Sequence, residues 1–138
     1  MSDGDFQECR ACHCYALRRA ARLVTQHYDR LLRPSGLRAT QFTLLVTLAE
    51  AGPMPMTRLA DRLGLERTSL TRNLKPLAAK EWVALAGEAD RRVRIAAITA
   101  AGKAKVEAAL PLWRKAQAGA AAVSPLLVES RLPALGAG

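Results

Sequence analysis

The stretch "MTRLADRLGLERTSLTRNLKPLAAKEWV", residues 56–83, decides the fold. Thr57 has the side chain of a helix N-cap, and Leu59, Ala60 and Leu63 recur at the spacing of a short helix's inward face. Gly64 falls where a helix ends in a left-handed residue, and Leu65 then turns inward. A second helix begins near Arg67 and buries Leu70, Leu74 and Leu77, at i, i+4 and i+7. Short helix, glycine turn, second helix is the helix-turn-helix pattern, and the small Ala60 permits the two helices to approach closely. The opposite face of the second helix carries Thr68, Ser69, Thr71, Arg72, Asn73 and Lys75, all of them hydrogen-bond donors. Pro76 lies inside this helix, where its ring and missing N–H favour a bend or an early end.

On either side of this motif the pattern changes. Residues 10–33 read as a long helix with Leu17, Ala20, Val24, Tyr28 and Leu31 on one stripe, which Ala16, Leu23 and Leu32 widen. Pro34 and Gly36 end it. Residues 38–52 form another helix, with Thr40 as its N-cap and Phe42, Leu45, Val46 and Ala49 apolar; Gly52-Pro53 stops it. After the motif, "WVALA" (82–86) and "VRIAAI" (93–98) are β-prone runs around a polar turn, so a hairpin follows. From Ala100 to about Ala122 the chain is Ala-rich and helical, with Val106, Leu110 and Trp113 in phase. Pro111 suggests a kink or break there. The end, "VSPLLVESRLPALGAG" (123–138), contains two prolines and two glycines, so at most a short helix and a frayed tail are expected.

Composition limits the function. At 138 residues the chain suits one domain. Half its residues are hydrophobic, which excludes disorder throughout. There are 21 Lys and Arg against 12 Asp and Glu, a net charge of +9, and that excess favours an anionic partner, nucleic acid first. No uncharged apolar run reaches membrane-spanning length, and the acidic start "MSDGDFQEC" does not read as a secretory signal. A cytoplasmic location with no membrane partner is expected, with the three cysteines Cys9, Cys12 and Cys14 reduced. No nucleophile–base pair, paired-carboxylate site or phosphate-cradling glycine loop stands out, so neither an enzyme nor a cofactor is expected. Positive charge is not confined to one place: Arg18, Arg19, Arg22, Arg30 and Arg33 crowd the first helix.

The order of elements resembles the MarR family of bacterial winged-helix transcription regulators. The resemblance rests on "LADRLGLERTSLTRNLKPLAAKEWV" (59–83) and "EADRRVRIAAITAAGKA" (88–104), and it covers residues 10–120. In the second segment Asp90, Arg91 and Arg92 precede a strand, and Thr99 and Gly102 open the next helix. The resemblance implies a mainly α fold with a small β-hairpin, in four parts. These are a flexible N-terminus (1–9), an N-terminal dimerisation helix (10–36), a winged helix-turn-helix (37–99), and a C-terminal dimerisation helix and tail (100–138).

It also implies function. A homodimer would bind a pseudo-palindromic operator in double-stranded DNA, most often as a repressor. The second helix of the motif would enter the major groove and the hairpin, or wing, the adjoining minor groove, where arginine meets concentrated negative potential. The DNA-binding set is then Arg67, Thr68, Ser69, Thr71, Arg72, Lys75, Arg91, Arg92 and Arg94. Asp90 would hold the turn by pairing with an arginine. Family members carry an effector cavity at the junction of the dimer and DNA-binding regions that accepts small aromatic or phenolic anions. Here His27, Tyr28, Phe42 and Trp113 are its candidates, and each also suits plain core. The tail at 123–138 departs from the family's longer amphipathic last helix, which bears on dimer strength.

Two other readings stand beside this one. If the first helix includes residue 9, Cys9, Cys12 and His13 share a face, with Cys14 off it. That group suits a thiol switch or a soft metal ion, or simply small apolar packing in a subunit contact; no metal is assigned. The alternative of another class is a dimerising adaptor that has lost DNA binding. The cationic, donor-rich face of residues 68–75 argues against it.

Overall fold

Three leucines set the frame. Leu70, Leu74 and Leu77 are each fully buried, and full burial of one such side chain is worth about 1.5–3 kcal/mol. They fix the helix that carries them, α4 (Arg67–Ala79), against α3 (Met56–Leu63), the first strand of the hairpin and α2 (Ala39–Ala51). The computed structural model describes residues 6–87 and 94–123. The remaining elements are a 3-10 turn (Gln7–Ala11), α1 (His13–Leu32), a second 3-10 turn (Arg33–Ser35), β1 (Met54–Pro55), β2 (Val83–Gly87), β3 (Arg94–Ile98) and α5 (Ala100–Val123). The fold is mainly helical, with one small antiparallel sheet in the order β1-β3-β2.

The turn between α3 and α4 forms as its glycine requires. Gly64 is left-handed at φ 65°, ψ 30°. The Leu65 N–H donates to the Ala60 carbonyl at 2.9 Å and the Gly64 N–H to Asp61 at 3.2 Å, which closes the last turn of α3. The hairpin register runs from Val83↔Ile98 to Gly87↔Arg94, within one residue of the expected strands. β1 extends it through Met54↔Ala96 and Pro55↔Ile95. Sequence reading misses β1, because two residues carry no alternation. Proline is tolerated there because the strand is at the sheet's edge.

Five expectations need correction. Thr40 is not the cap of α2. Its first turn is closed by Gln41 Oε1, which accepts the Arg38 N–H at 3.0 Å, and by Asp29 of α1, whose carboxylate accepts the Ala39 N–H at 2.7 Å. Thr57 is likewise inside α3, whose N-cap position is Pro55 because β1 runs straight into the helix. α1 begins at His13 rather than residue 10, after the 3-10 turn. Pro76 does not end α4, which continues to Ala79, and Pro111 does not break α5. Both prolines are exposed, as are Arg72 and Glu107 four residues earlier, so the carbonyls that lose an N–H partner can be hydrated. The tail at 124–138 lies outside the described residues.

The long arm joins the two ends of the chain. α1 packs along α5 in antiparallel sense, with His27 Nε2 at 2.8 Å from the Ala116 carbonyl and the Tyr28 hydroxyl donating to Gln117 Oε1. The core then runs from Leu32 and Leu37 through Leu44, Leu45 and Leu48 to Val83 and Ala96. Among the described residues no helix is long and apolar enough to cross a membrane.

Candidate nucleic-acid interface and adjoining cavity

The leucine row of α4 dictates what its other side presents. With Leu70, Leu74 and Leu77 inward, Thr68, Thr71, Arg72 and Lys75 are exposed, and Arg67, Ser69 and Asn73 are half-buried on the flanks. Two formal cations, Arg72 and Lys75, stand on one face with hydroxyl and amide groups around them. Thr71 is less available than its type suggests: its hydroxyl donates to the Arg67 carbonyl at 3.0 Å, so only its lone pairs and methyl group face outward.

The hairpin packs against α4 through β2. Arg94 opens β3 and is exposed, paired with Gly87 across the strands. A Cβ at Gly87 would sit 3.3 Å from Arg94 Cγ, so the bare glycine gives the arginine stem room to cross the strand. Asp90, Arg91 and Arg92 lie outside the described residues. The structure thus leaves Arg94 on the hairpin and the α4 group both open to solvent.

A cavity of about 660 Å³ opens between α1, α2, the end of α3 and α5. Tyr28, Phe42 and Trp113 line it as expected. Phe42 and Trp113 lie nearly parallel, with centroids 6.0 Å apart and an interplanar angle of 14°. Burial pushes the Tyr28 hydroxyl above its ordinary pKa, since the phenolate would lose hydration. His27 does not line the cavity. Neighbours on a helix point about a quarter-turn apart, so Tyr28 faces the space while His27 is buried against α5. The His27 ring donates from Nε2 to the Ala116 carbonyl, and its Nδ1 lies 3.4 Å from the Arg30 guanidinium. That pattern fits the Nε2–H tautomer.

Sequence reading overlooks the polar half of the wall: Thr25, Thr43, Thr47, Glu50, Arg62 and Gln117. Its signal is present on α2. Ala39, Thr43, Val46, Thr47 and Glu50 follow one another at helical spacing, a half-polar stripe beside the apolar one.

The cysteines are arranged differently from the expected shared face. Cys9 belongs to the 3-10 turn, Cys12 sits at the N-cap of α1 with its sulfur accepting the Tyr15 N–H at 3.5 Å, and Cys14 is in the first turn. All three are free and exposed, as is His13. The single helix that would align Cys9 with Cys12 and His13 does not extend that far, and no group of three or more His, Cys, Asp or Glu that could hold a metal ion occurs among the described residues.

The MarR family model matches residues 37–93, which span α2, the helix-turn-helix and β2 and stop just before β3. The transcriptional regulator MosR of M. tuberculosis, solved in complex with DNA, is 43% identical. That likeness covers 86% of this chain and 89% of that one, with a TM-score of 0.74. The chain belongs to the MarR family.

Other family relatives agree. MhqR, a helix-turn-helix transcriptional regulator of Bacillus subtilis, is 33% identical over 87 residues, 62% of this chain and 60% of its own. Reduced AbfR bound to DNA is 27% identical with a TM-score of 0.67, covering 77% of this chain and 79% of that one. This MarR-family protein is a DNA-binding transcription regulator and not an enzyme.

Proposed function

We propose that this MarR-family regulator acts as a homodimeric repressor on a pseudo-palindromic operator and is released by a small planar effector. The observation that carries the reading is the two-sidedness of α4. Its leucines lock it into the domain, and the opposite face offers Thr68, Arg72 and Lys75 to solvent. In the major groove a few of these side chains read base edges, and the rest, with Arg67 and Ser69, hold phosphates. Arg91, Arg92 and Arg94 enter the minor groove from the wing. Support for the dimer comes from the N-terminal arm, where Phe6, Tyr15 and Leu17 are 82%, 61% and 58% exposed. One recognition helix reads too few base pairs for an operator, so two half-sites about 34–36 Å apart are required.

The cavity beside Phe42 and Trp113 is the effector site of this reading. It lies between the α1–α5 arm and the helix-turn-helix, so a flat aromatic ligand there changes how the two meet, and with that the separation of the recognition helices. Selection of bound DNA from a random pool tests the whole reading. It should return two inverted half-sites, and inserting about 5 base pairs, half a helical turn, between them should abolish specific binding. Tight binding to a single half-site overturns the dimeric operator.

A thiol switch is a second reading, favoured by the exposure of Cys9, Cys12 and Cys14 at the start of the arm. Oxidant then replaces the effector as the releasing signal. Binding to the selected DNA with and without reducing agent decides between them: equal affinity in both excludes the switch.

A further inference from the structure

Four segments of the chain meet at one point: the end of α4, the start of β2, the end of β3 and the start of α5. α4 closes with two bonds, the Glu81 N–H to the Ala78 carbonyl and the Trp82 N–H to the Leu77 carbonyl, each 3.0 Å. A helix end of this kind places its penultimate residue in the left-handed region, where glycine is usual. Here that residue is Glu81, at φ 60°, the one non-glycine residue with positive φ among those described. Such a conformation persists where its surroundings hold it.

What holds it is Thr99. Its hydroxyl donates to the Glu81 carbonyl at 2.6 Å, and its backbone N–H donates to the Trp82 carbonyl at 3.0 Å. The same hydroxyl oxygen accepts the Gly102 N–H at 3.0 Å, and the Thr99 carbonyl accepts the Lys103 N–H at 2.9 Å. One threonine therefore caps α5, closes the base of the hairpin and fixes the exit from the recognition helix. Gly102 completes the contact. A Cβ there would lie 2.1 Å from the Trp82 carbonyl oxygen and 2.9 Å from Ile98 Cγ1, so the first turn of α5 rests directly on the backbone that leads into β2.

We propose that Thr99 is a positioning residue for DNA binding. With Gly102 it sets the angle of the wing to both α4 and α5, so that Arg94 on the wing and Arg72 on the recognition helix meet DNA as one rigid body. The inference rests on the wing reading given above. Valine at position 99 keeps the branched shape and the N–H bond to Trp82 but loses both hydroxyl bonds. The hairpin then pivots about its base, and Arg94 reaches the groove in only a fraction of orientations. Arg72 is unaffected, because Leu70, Leu74 and Leu77 hold α4 independently.

A double-mutant cycle tests this on the selected operator. Arg94→Ala is expected to weaken binding about tenfold in the parent. In the Thr99→Val background the same change should cost less than about threefold, on the same scale. Arg72→Ala should cost the same factor in both backgrounds, and Thr99→Ser should restore the full effect of Arg94→Ala. A purely structural role for Thr99 would not move one arginine and spare the other. Should Thr99→Val fail to fold, the cycle is run with Glu81→Gly added to both backgrounds, since glycine takes φ 60° without support while the hairpin stays untied. Equal Arg94→Ala factors in the two backgrounds overturn the inference alone. An Arg94→Ala protein that binds as tightly as the parent overturns the wing reading and the inference with it.

Discussion

The helix-turn-helix and the first half of α1 are both amphipathic helical segments, yet only one is complete within its own chain. In α3 and α4 Leu59, Leu70, Leu74 and Leu77 are fully buried, and the exposed side chains are mostly polar. In α1 the half near Leu32 is buried under α2 and α5, whereas the half near His13 leaves Tyr15 and Leu17 open. The first region folds against itself and offers charge. The second offers apolar surface, which is stable in water only when something covers it. In the proposed reading, one chain thus separates the surface that meets DNA from the surface that meets a second copy of itself.

The contrast can be broken at either end. The largest effect should come from Leu74→Ala, which empties a site at the centre of the self-sufficient region. A loss of about 2–5 kcal/mol is expected, and thermal melting should fall on the order of 10 °C or more. A melting temperature within a degree or two of the parent would show that α4 is held by something else. Leu17→Asp addresses the other region. A charge on the exposed stripe should cost the dimer about 2–3 kcal/mol, roughly a hundredfold in dissociation constant, while leaving the melting of the separated chain nearly unchanged. Sedimentation at micromolar concentration checks it, and an unaltered assembly removes α1 from the interface.

Smaller effects sharpen the picture. Arg92→Ala, suggested by its place in the wing segment of the sequence, should weaken binding to every DNA sequence by about 1 kcal/mol with little change in specificity. Unchanged affinity at about 0.15 M salt, a physiological level, would detach the wing from DNA. The smallest effect concerns Tyr28. Its pKa is raised above the ordinary 10.0 by burial, so the folded state prefers the protonated phenol. The stability this contributes is complete below that ordinary value and is lost as pH rises through it toward the folded value. Tyr28→Phe should flatten the fall of melting temperature in this alkaline range; an identical fall in both proteins would mean Tyr28 is not the group responsible.

What could be read from the residues divides along the same line. Local signals sufficed for the helix-turn-helix: Gly64 sits in the left-handed turn its position demanded, and Leu70, Leu74 and Leu77 are the buried row their spacing indicated. The strands fell within a residue because β-prone runs were bounded by a polar turn. Contacts between distant parts of the chain were not legible. Asp29 caps α2 from ten residues away, where Thr40 was the local candidate. β1 exists only because β3 supplies its partner, and it moves the start of α3 ahead of Thr57. The cavity was half legible: its aromatic wall stands out by residue type and the α2 stripe through Thr43 and Thr47 by spacing, whereas Thr25 and Gln117 become wall residues only once α1 and α5 come together.

The pairing of His27 with Ala116, and of Tyr28 with Gln117, spans 89 residues in each case. Closing so long a loop costs entropy that grows only slowly with length, so the equilibrium tolerates it well. Time is the heavier burden. A ribosome adding about 5–20 residues per second releases α1 roughly 4–18 s before the segment of α5 that covers it. Over that interval the helix-turn-helix and hairpin, whose contacts are short in sequence, can complete themselves. The arm cannot: its apolar stripe waits beside a finished neighbour until the covering part of α5 has been made. The nascent chain is then most vulnerable to chaperone capture and aggregation along α1.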